Sequence, residues 1–179
     1  MDIVFRSGIY PKDLAGKRVL DLGCGPTGRF VRYLRDHGVD AYGLDSRPVA
    51  RSSFLMQAEA NEIPQPSSPY DRIFVHYAVF RLGVSGFSEP LINQGRLTEE
   101  ENYLNLLVMM KILDQMNKVT QPGSQAIIVP YSDELEDFLL PYSCTIENIL
   151  NNPIASLITN ILYANKLCPA LVQRLIINY

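Results

Sequence analysis

At 179 residues, 47% of them hydrophobic and 20% charged, the chain has the composition of a globular protein and the length of one domain, 1–179. The formal net charge of −3 argues against a surface built to track nucleic acid, although it leaves room for a local basic patch. Cys24, Cys144 and Cys168 are far apart and lack metal-ligand spacing, and there are only two histidines, so no metal is expected and the thiols read as reduced, in a cytoplasmic protein.

The first residues, MDIVFRSGIYPKDLAGK, have an acidic second position and no long apolar core, which does not fit a secretory signal. The Lys17-Arg18 pair leads into Val19-Leu20-Asp21-Leu22, a short buried strand ending at a glycine turn. From Gly28 to His37, Phe30, Val31 and Leu34 share one helical face. Arg29, Arg32 and Arg35 lie off that face and read as solvated, with contact to a polyanion as the alternative. Gly38 follows as a C-cap glycine would. Val39 to Leu44 is a second strand closing on Asp45, and a short helix around Pro48 to Ser53 is expected before a brief strand at Phe54 to Gln57. The proline- and serine-rich EIPQPSSPY is a loop, and Tyr70 to Val79 is a strongly apolar strand.

Arg81 to Leu97 has no period and carries glycines at 83, 86 and 95, as a lid over a crevice would. Thr98 and Glu101 form a capping box that opens a helix to about Val119. Its single polar stripe, Lys111, Asp114, Gln115 and Lys118, implies that most of its circumference is buried. Gln121-Pro122-Gly123 then turns the chain into a strand from Ala126 to Pro130. Strands alternating with helices over short links predict an α/β fold. The expected form is a doubly wound, Rossmann-like, mostly parallel sheet of six or seven strands in three α/β/α layers.

Residues 131–179 are atypical. From 141 onward the only charges are Glu147, Lys166 and Arg174. Ile154, Leu157, Ile158, Ile161 and Leu162 recur at amphipathic-helix spacing, and Leu171 to Tyr179 reads as a last strand. The charge-free run from Asn148 to Asn165 contains five asparagines and Pro153, so it is not read as a membrane span.

Function turns on RVLDLGCGPTGRF. Gly23, Gly25 and Gly28 give G-x-G-x-x-G, a spacing that dinucleotide enzymes share. Such a turn lets a ligand approach the backbone, and the following helix offers amide donors. Asp21, two residues before Gly23, would oppose a pyrophosphate but attract a cationic ligand such as an ammonium or sulfonium. Asp45, 22 residues after Gly23, is placed for ribose hydroxyls or, in the plainer reading, caps the Arg47-Pro48 turn. Glu59, after the third strand, can receive an adenine amino group or be a solvated loop acid. Cys24 reads as a small residue in a tight turn and not as a nucleophile.

These segments resemble the class I S-adenosylmethionine-dependent methyltransferases. VLDLGCGPTG resembles their first motif, GLD their second-strand acid, EANEIP their adenine-contact segment, YDRIFVHYAVFRL their fourth strand and QPGSQAIIV their Pro-Gly turn into strand five. The resemblance covers about residues 14 to 130. It implies S-adenosyl-L-methionine as cofactor, with Asp21, Gly23, Cys24 and Gly25 lining the methionine end, Asp45 and Ser46 the ribose, and Glu59 and Ala60 the adenine. Two departures are the longer Glu59, where the family commonly has Asp, and the short stretch from Asp45 to Glu59. The tail shows one strand where the family has a final antiparallel pair.

His76 ends the fourth strand and is the candidate general base, since its ordinary pKa of about 6.5 suits proton abstraction. The plainer reading, that His76 or Tyr77 packs on the cofactor or satisfies a backbone group, is preferred; His37 is read as a surface residue. The Asn/Asp-Pro-Pro-Tyr/Phe tetrad of amino-methylating nucleic-acid enzymes is absent, and VHYAVF stands in its place. A small-molecule acceptor, methylated on oxygen or nitrogen, is the favoured expectation. The alternatives are a protein or RNA acceptor with a partner subunit or a homodimer formed through the charge-poor helix 154–165, and a non-catalytic relative that keeps the fold.

Overall fold

The computed structural model describes residues 9–76, 99–129, 143–148 and 173–179. A short 3₁₀ turn, Pro11–Leu14, precedes β1 (Arg18–Leu22), α1 (Arg29–Asp36), β2 (Asp40–Asp45), β3 (Leu55–Gln57) and β4 (Tyr70–His76). Then come α2 (Glu99–Lys118), β5 (Thr120–Val129), β6 (Ser143–Asn148) and β7 (Gln173–Asn178). The seven strands form one sheet in the order β3-β2-β1-β4-β5-β7-β6. The first five run parallel; β7 pairs antiparallel with both β5 and β6.

Strand periodicity divides the core into two faces. Leu20 and Leu22 of β1, Ile73 and Val75 of β4, and Ala126 and Ile128 of β5 join Ile112, Leu113 and Met116 of α2. The alternate residues Val19, Phe74 and Ile127 join Phe30, Val31 and Leu34 of α1. The Phe74 ring meets the Phe30 ring edge-on at 5.3 Å, fixing α1 over the middle of the sheet.

The sheet order places a topological switch between β1 and β4: the chain leaves β1 toward β2 and β3, then returns to the other side. Ligands of open α/β sheets bind outside the carboxyl ends of the strands at such a point. Here those ends are Leu22, entering the glycine turn, and the Val75–His76 end of β4, with Leu22 paired to Val75.

Four expectations change. No helix forms at 48–53; residues 46–54 run as bends and a turn. The backbone there is held by neighbours instead, through Ala50 N–H to the Pro26 carbonyl at 2.8 Å and Gly43 N–H to the Phe54 carbonyl at 2.8 Å. Strand β5 begins at Thr120, not Ala126, because Thr120 already pairs with Tyr70 before the ladder resumes at Arg72 and Gln125. Residues 121–124 bulge out between, with Gly123 at φ 90° and Ser124 Oγ donating to the Tyr70 carbonyl at 2.8 Å. The tail supplies two strands, since β6 joins β7 to complete the sheet. On α2 the buried side chains are Ile112, Leu113 and Met116, whereas Leu107, Val108 and Met110 are exposed. Its described part therefore packs on the sheet by one face, so burial of most of its circumference does not occur.

Gly38 ends α1 in the left-handed conformation (φ 80°), as its position suggested. Arg32 Nε donates to the Thr27 carbonyl and Arg35 Nη1 to the Ala41 carbonyl, each at 2.8 Å, and both guanidinium groups lie over the Phe54 ring. These arginines serve the fold of their own neighbourhood. The lid at 81–97, Thr98 of the capping box and the helix at 154–165 lie outside the described residues. Among the described residues no helix is long and apolar enough to cross a membrane.

Candidate active site

The glycine spacing follows from backbone geometry: Gly23, Gly25 and Gly28 all have positive φ, at 80°, 74° and 55°. The Gly23 and Cys24 amides both donate to the Leu44 carbonyl, at 2.8 and 3.1 Å, which fastens the turn to the end of β2. Gly28 N–H closes the turn on the Gly25 carbonyl at 3.1 Å, and Gly28 is the N-cap of α1, where no side chain caps the helix.

Asp21 and Asp45 belong to the same face of the sheet, and both are buried, at 2% and 4% exposure. Cys24 is near enough to feel the charge of both. Burial, then the charges of Asp21 and Asp45, push its thiol up to about 12, so it stays protonated at neutral pH. That agrees with a turn residue and not with a nucleophile.

Asp45 accepts four hydrogen bonds. Its Oδ2 accepts the Gly25 amide at 2.8 Å and Arg47 Nη2 at 3.3 Å. Its Oδ1 accepts the Arg47 backbone amide at 3.0 Å and Arg47 Nε at 2.9 Å. Burial alone would raise this carboxyl, but the hydrogen bonds from Arg47 and Gly25 outweigh burial and hold it below the usual carboxylate range. The plainer contact foreseen for Asp45, capping the Arg47-Pro48 turn, is therefore present, although no helix follows it.

Ser46 is exposed beside Asp45, and its carbonyl lies 3.5 Å from Gln57 Nε2. The pairing of Asp45 with Gln57, and the Ala58 amide on the Asp45 carbonyl at 3.1 Å, bring the 59–62 segment to the same edge. There Glu59 is exposed and Ala60 buried. Asn61 Oδ1 is buried with no hydrogen-bond partner among the described residues. The backbone of His76 ends β4, opposite Val129. Thus the turn, Asp45 with Ser46, and the Glu59–Ala60 segment all lie at the carboxyl ends of β1, β2 and β3, with His76 at that of β4.

Residues 4–82 match the family model of a methyltransferase domain. Among solved structures, an S-adenosylmethionine-dependent methyltransferase from Mesorhizobium loti superposes with a TM-score of 0.60 at 12% identity, covering 99% of this chain and 96% of that one. A counterpart from Archaeoglobus fulgidus gives 0.58 at 16% identity, with 99% and 94% covered. The plantazolicin methyltransferase BpumL, solved with S-adenosylhomocysteine (SAH), gives 0.53 at 14% identity, with 99% and 83% covered. Over residues 4–82 the chain is similar to the methyltransferase-domain family, and it shares the fold of these methyltransferases. No curated protein matches it in sequence.

Three parts of this site escaped the sequence reading. A Cβ on Gly43 would stand 2.7 Å from Cys24 Sγ and 2.9 Å from Leu55 Cδ2, so β2 needs glycine where the turn crosses it. A Cβ on Gly28 would stand 2.5 Å from Leu55 Cδ2, so packing as well as φ requires that glycine. Arg47 was noted only as part of a turn. Its two-residue offset from Asp45, an acid-x-arginine step after a strand, is the signal that could have revealed the pairing.

Proposed function

We propose that the chain is an S-adenosylmethionine-dependent methyltransferase whose acceptor is an oxygen or nitrogen of a small molecule. The observation that carries this reading is a pair of buried carboxylates, Asp21 and Asp45, on either side of a positive-φ glycine turn at the switch point of the sheet. The family model and the bound SAH of the plantazolicin enzyme support it.

The residues present suit such a cofactor. A Cβ built on Gly25 would meet only Arg47 Nη2, at 4.0 Å, so the backbone there can be approached closely. Asp21 supplies negative charge for a cationic methionine end, where a pyrophosphate would be repelled. Asp45 offers two oxygens to a ribose diol. Glu59 is the acceptor proposed for the adenine amine, with Ala60 forming an apolar wall beside it; the buried, unpaired Asn61 oxygen adds a second acceptor in that segment.

The cofactor supplies an activated methyl group on a sulfonium, so little covalent chemistry is left to the protein. The glycine turn and its carboxylates hold the donor in one orientation, which lets an acceptor be aligned in line with the methyl. His76, at the carboxyl end of β4, is the proposed base for a proton leaving the acceptor oxygen or nitrogen.

Calorimetry tests the reading. SAH is expected to bind and NAD not to bind; the reverse result would assign the turn to a dinucleotide. Asp45→Ala is expected to weaken SAH binding by more than about tenfold through loss of the two ribose acceptors. An unchanged affinity would leave Asp45 only its capping role. A methyl-transfer screen with labelled cofactor across metabolite, RNA and protein pools identifies the acceptor; labelling of RNA or protein alone would overturn the small-molecule assignment.

A further inference from the structure

The Asp45 carboxylate is saturated by its protein donors. Two oxygens provide about four lone-pair positions, and four donors from Gly25 and Arg47 fill them. A ribose diol needs two acceptors, so a donor must leave before it can bind. The Gly25 and Arg47 amides are part of the turn backbone and cannot leave without dismantling it. The Arg47 side chain is different: it is 63% exposed, while the carboxylate it pairs with is 4% exposed. Among the described residues its guanidinium makes no other hydrogen bond or ion pair. It also lies at the open face of the turn, 4.0 Å from where a Gly25 Cβ would be.

From this geometry we infer that Arg47 is a built-in competitor for the nucleoside: its guanidinium holds the ribose acceptors of Asp45 in the free protein, and the cofactor binds by displacing it. The inference rests on the methyl-donor reading above and adds a residue that sets cofactor affinity. Removing the guanidinium should therefore strengthen binding, which is the opposite of what removing a ribose contact would do. Since one member of the pair is exposed, salt screens it, and the free protein loses part of the competitor as ionic strength rises.

The test is calorimetric titration of the full chain with SAH at low and high salt, for wild type, Arg47→Gln and Arg47→Lys. Arg47→Gln is expected to bind about three- to tenfold tighter than wild type, a range set by the worth of a partly exposed charged hydrogen-bonded pair. Arg47→Lys, which keeps charge but not the two-pronged contact, should fall between them. Wild-type affinity should rise with salt and that of Arg47→Gln should not. Equal or weaker binding by Arg47→Gln, at unchanged stoichiometry, would overturn the competitor role and leave the donor reading standing. No SAH binding by any of the three proteins would remove the donor reading, and the competitor role with it.

Discussion

Cys24 shows how one position is decided by its neighbours. A thiol between two motif glycines is accessible enough in sequence terms to suggest chemistry, but burial and two adjacent carboxylates push it up to about 12. At pH 8 that leaves about one thiolate in ten thousand, so iodoacetamide should modify Cys24 orders of magnitude more slowly than an ordinary exposed thiol. Peptide mass mapping after alkylation reads this directly, and rapid labelling of Cys24 would contradict the half-buried, acidic surroundings. SAH bound over the turn should slow labelling further. Asp45 belongs to the same small space, where hydrogen bonding wins over burial and the carboxyl stays ionised well into the acid range. Its charge is therefore present at every pH at which the protein would work, and the choice between Arg47 and a ribose is a matter of competing donors.

At the scale of elements, what matters is how closely backbones approach. β2 carries Gly43 beside Asp21 in register, and the space a Cβ would need is already filled by Cys24 and Leu55. Gly43→Ala should cost about 1–3 kcal/mol through overpacking, measured by urea denaturation, and should weaken SAH binding because the turn must shift. A variant as stable as wild type would mean that the Leu55 end gives way instead. The apolar alternation of β1, β4 and β5 was legible in the sequence, as was the helix ended by Gly38. The 48–53 helix was misjudged because local propensity was weighed without Phe54 and Pro26, whose carbonyls hold this segment against its neighbours. The early start of β5 was hidden too: Gln121-Pro122-Gly123 does turn the chain, but as a bulge inside the ladder, made possible by Ser124 bonding across to Tyr70.

Across the whole molecule, the order β3-β2-β1-β4-β5-β7-β6 turns separate motifs into one site. It places the end of β4 beside the glycine turn of β1, although more than fifty residues separate Gly23 from His76 in the chain. If His76 acts as base, His76→Ala should keep SAH affinity within about twofold while slowing turnover of the identified acceptor by about a hundredfold or more. Full turnover would return His76 to the packing role. The sequence by itself determined the glycine turn and its two acids: glycine spacing fixes backbone conformation, and an acid before the turn and another 22 residues after Gly23 are local facts of the chain. It also determined the α/β class, because periodicity is local. Only the tertiary structure decided the second tail strand, since β6 has meaning only against β7. Only the tertiary structure likewise showed that Asp45 is also engaged from across the sheet. The Gly25 amide joins the Arg47 donors on one carboxylate because β1 and β2 lie side by side, and nothing in either segment alone states that distance.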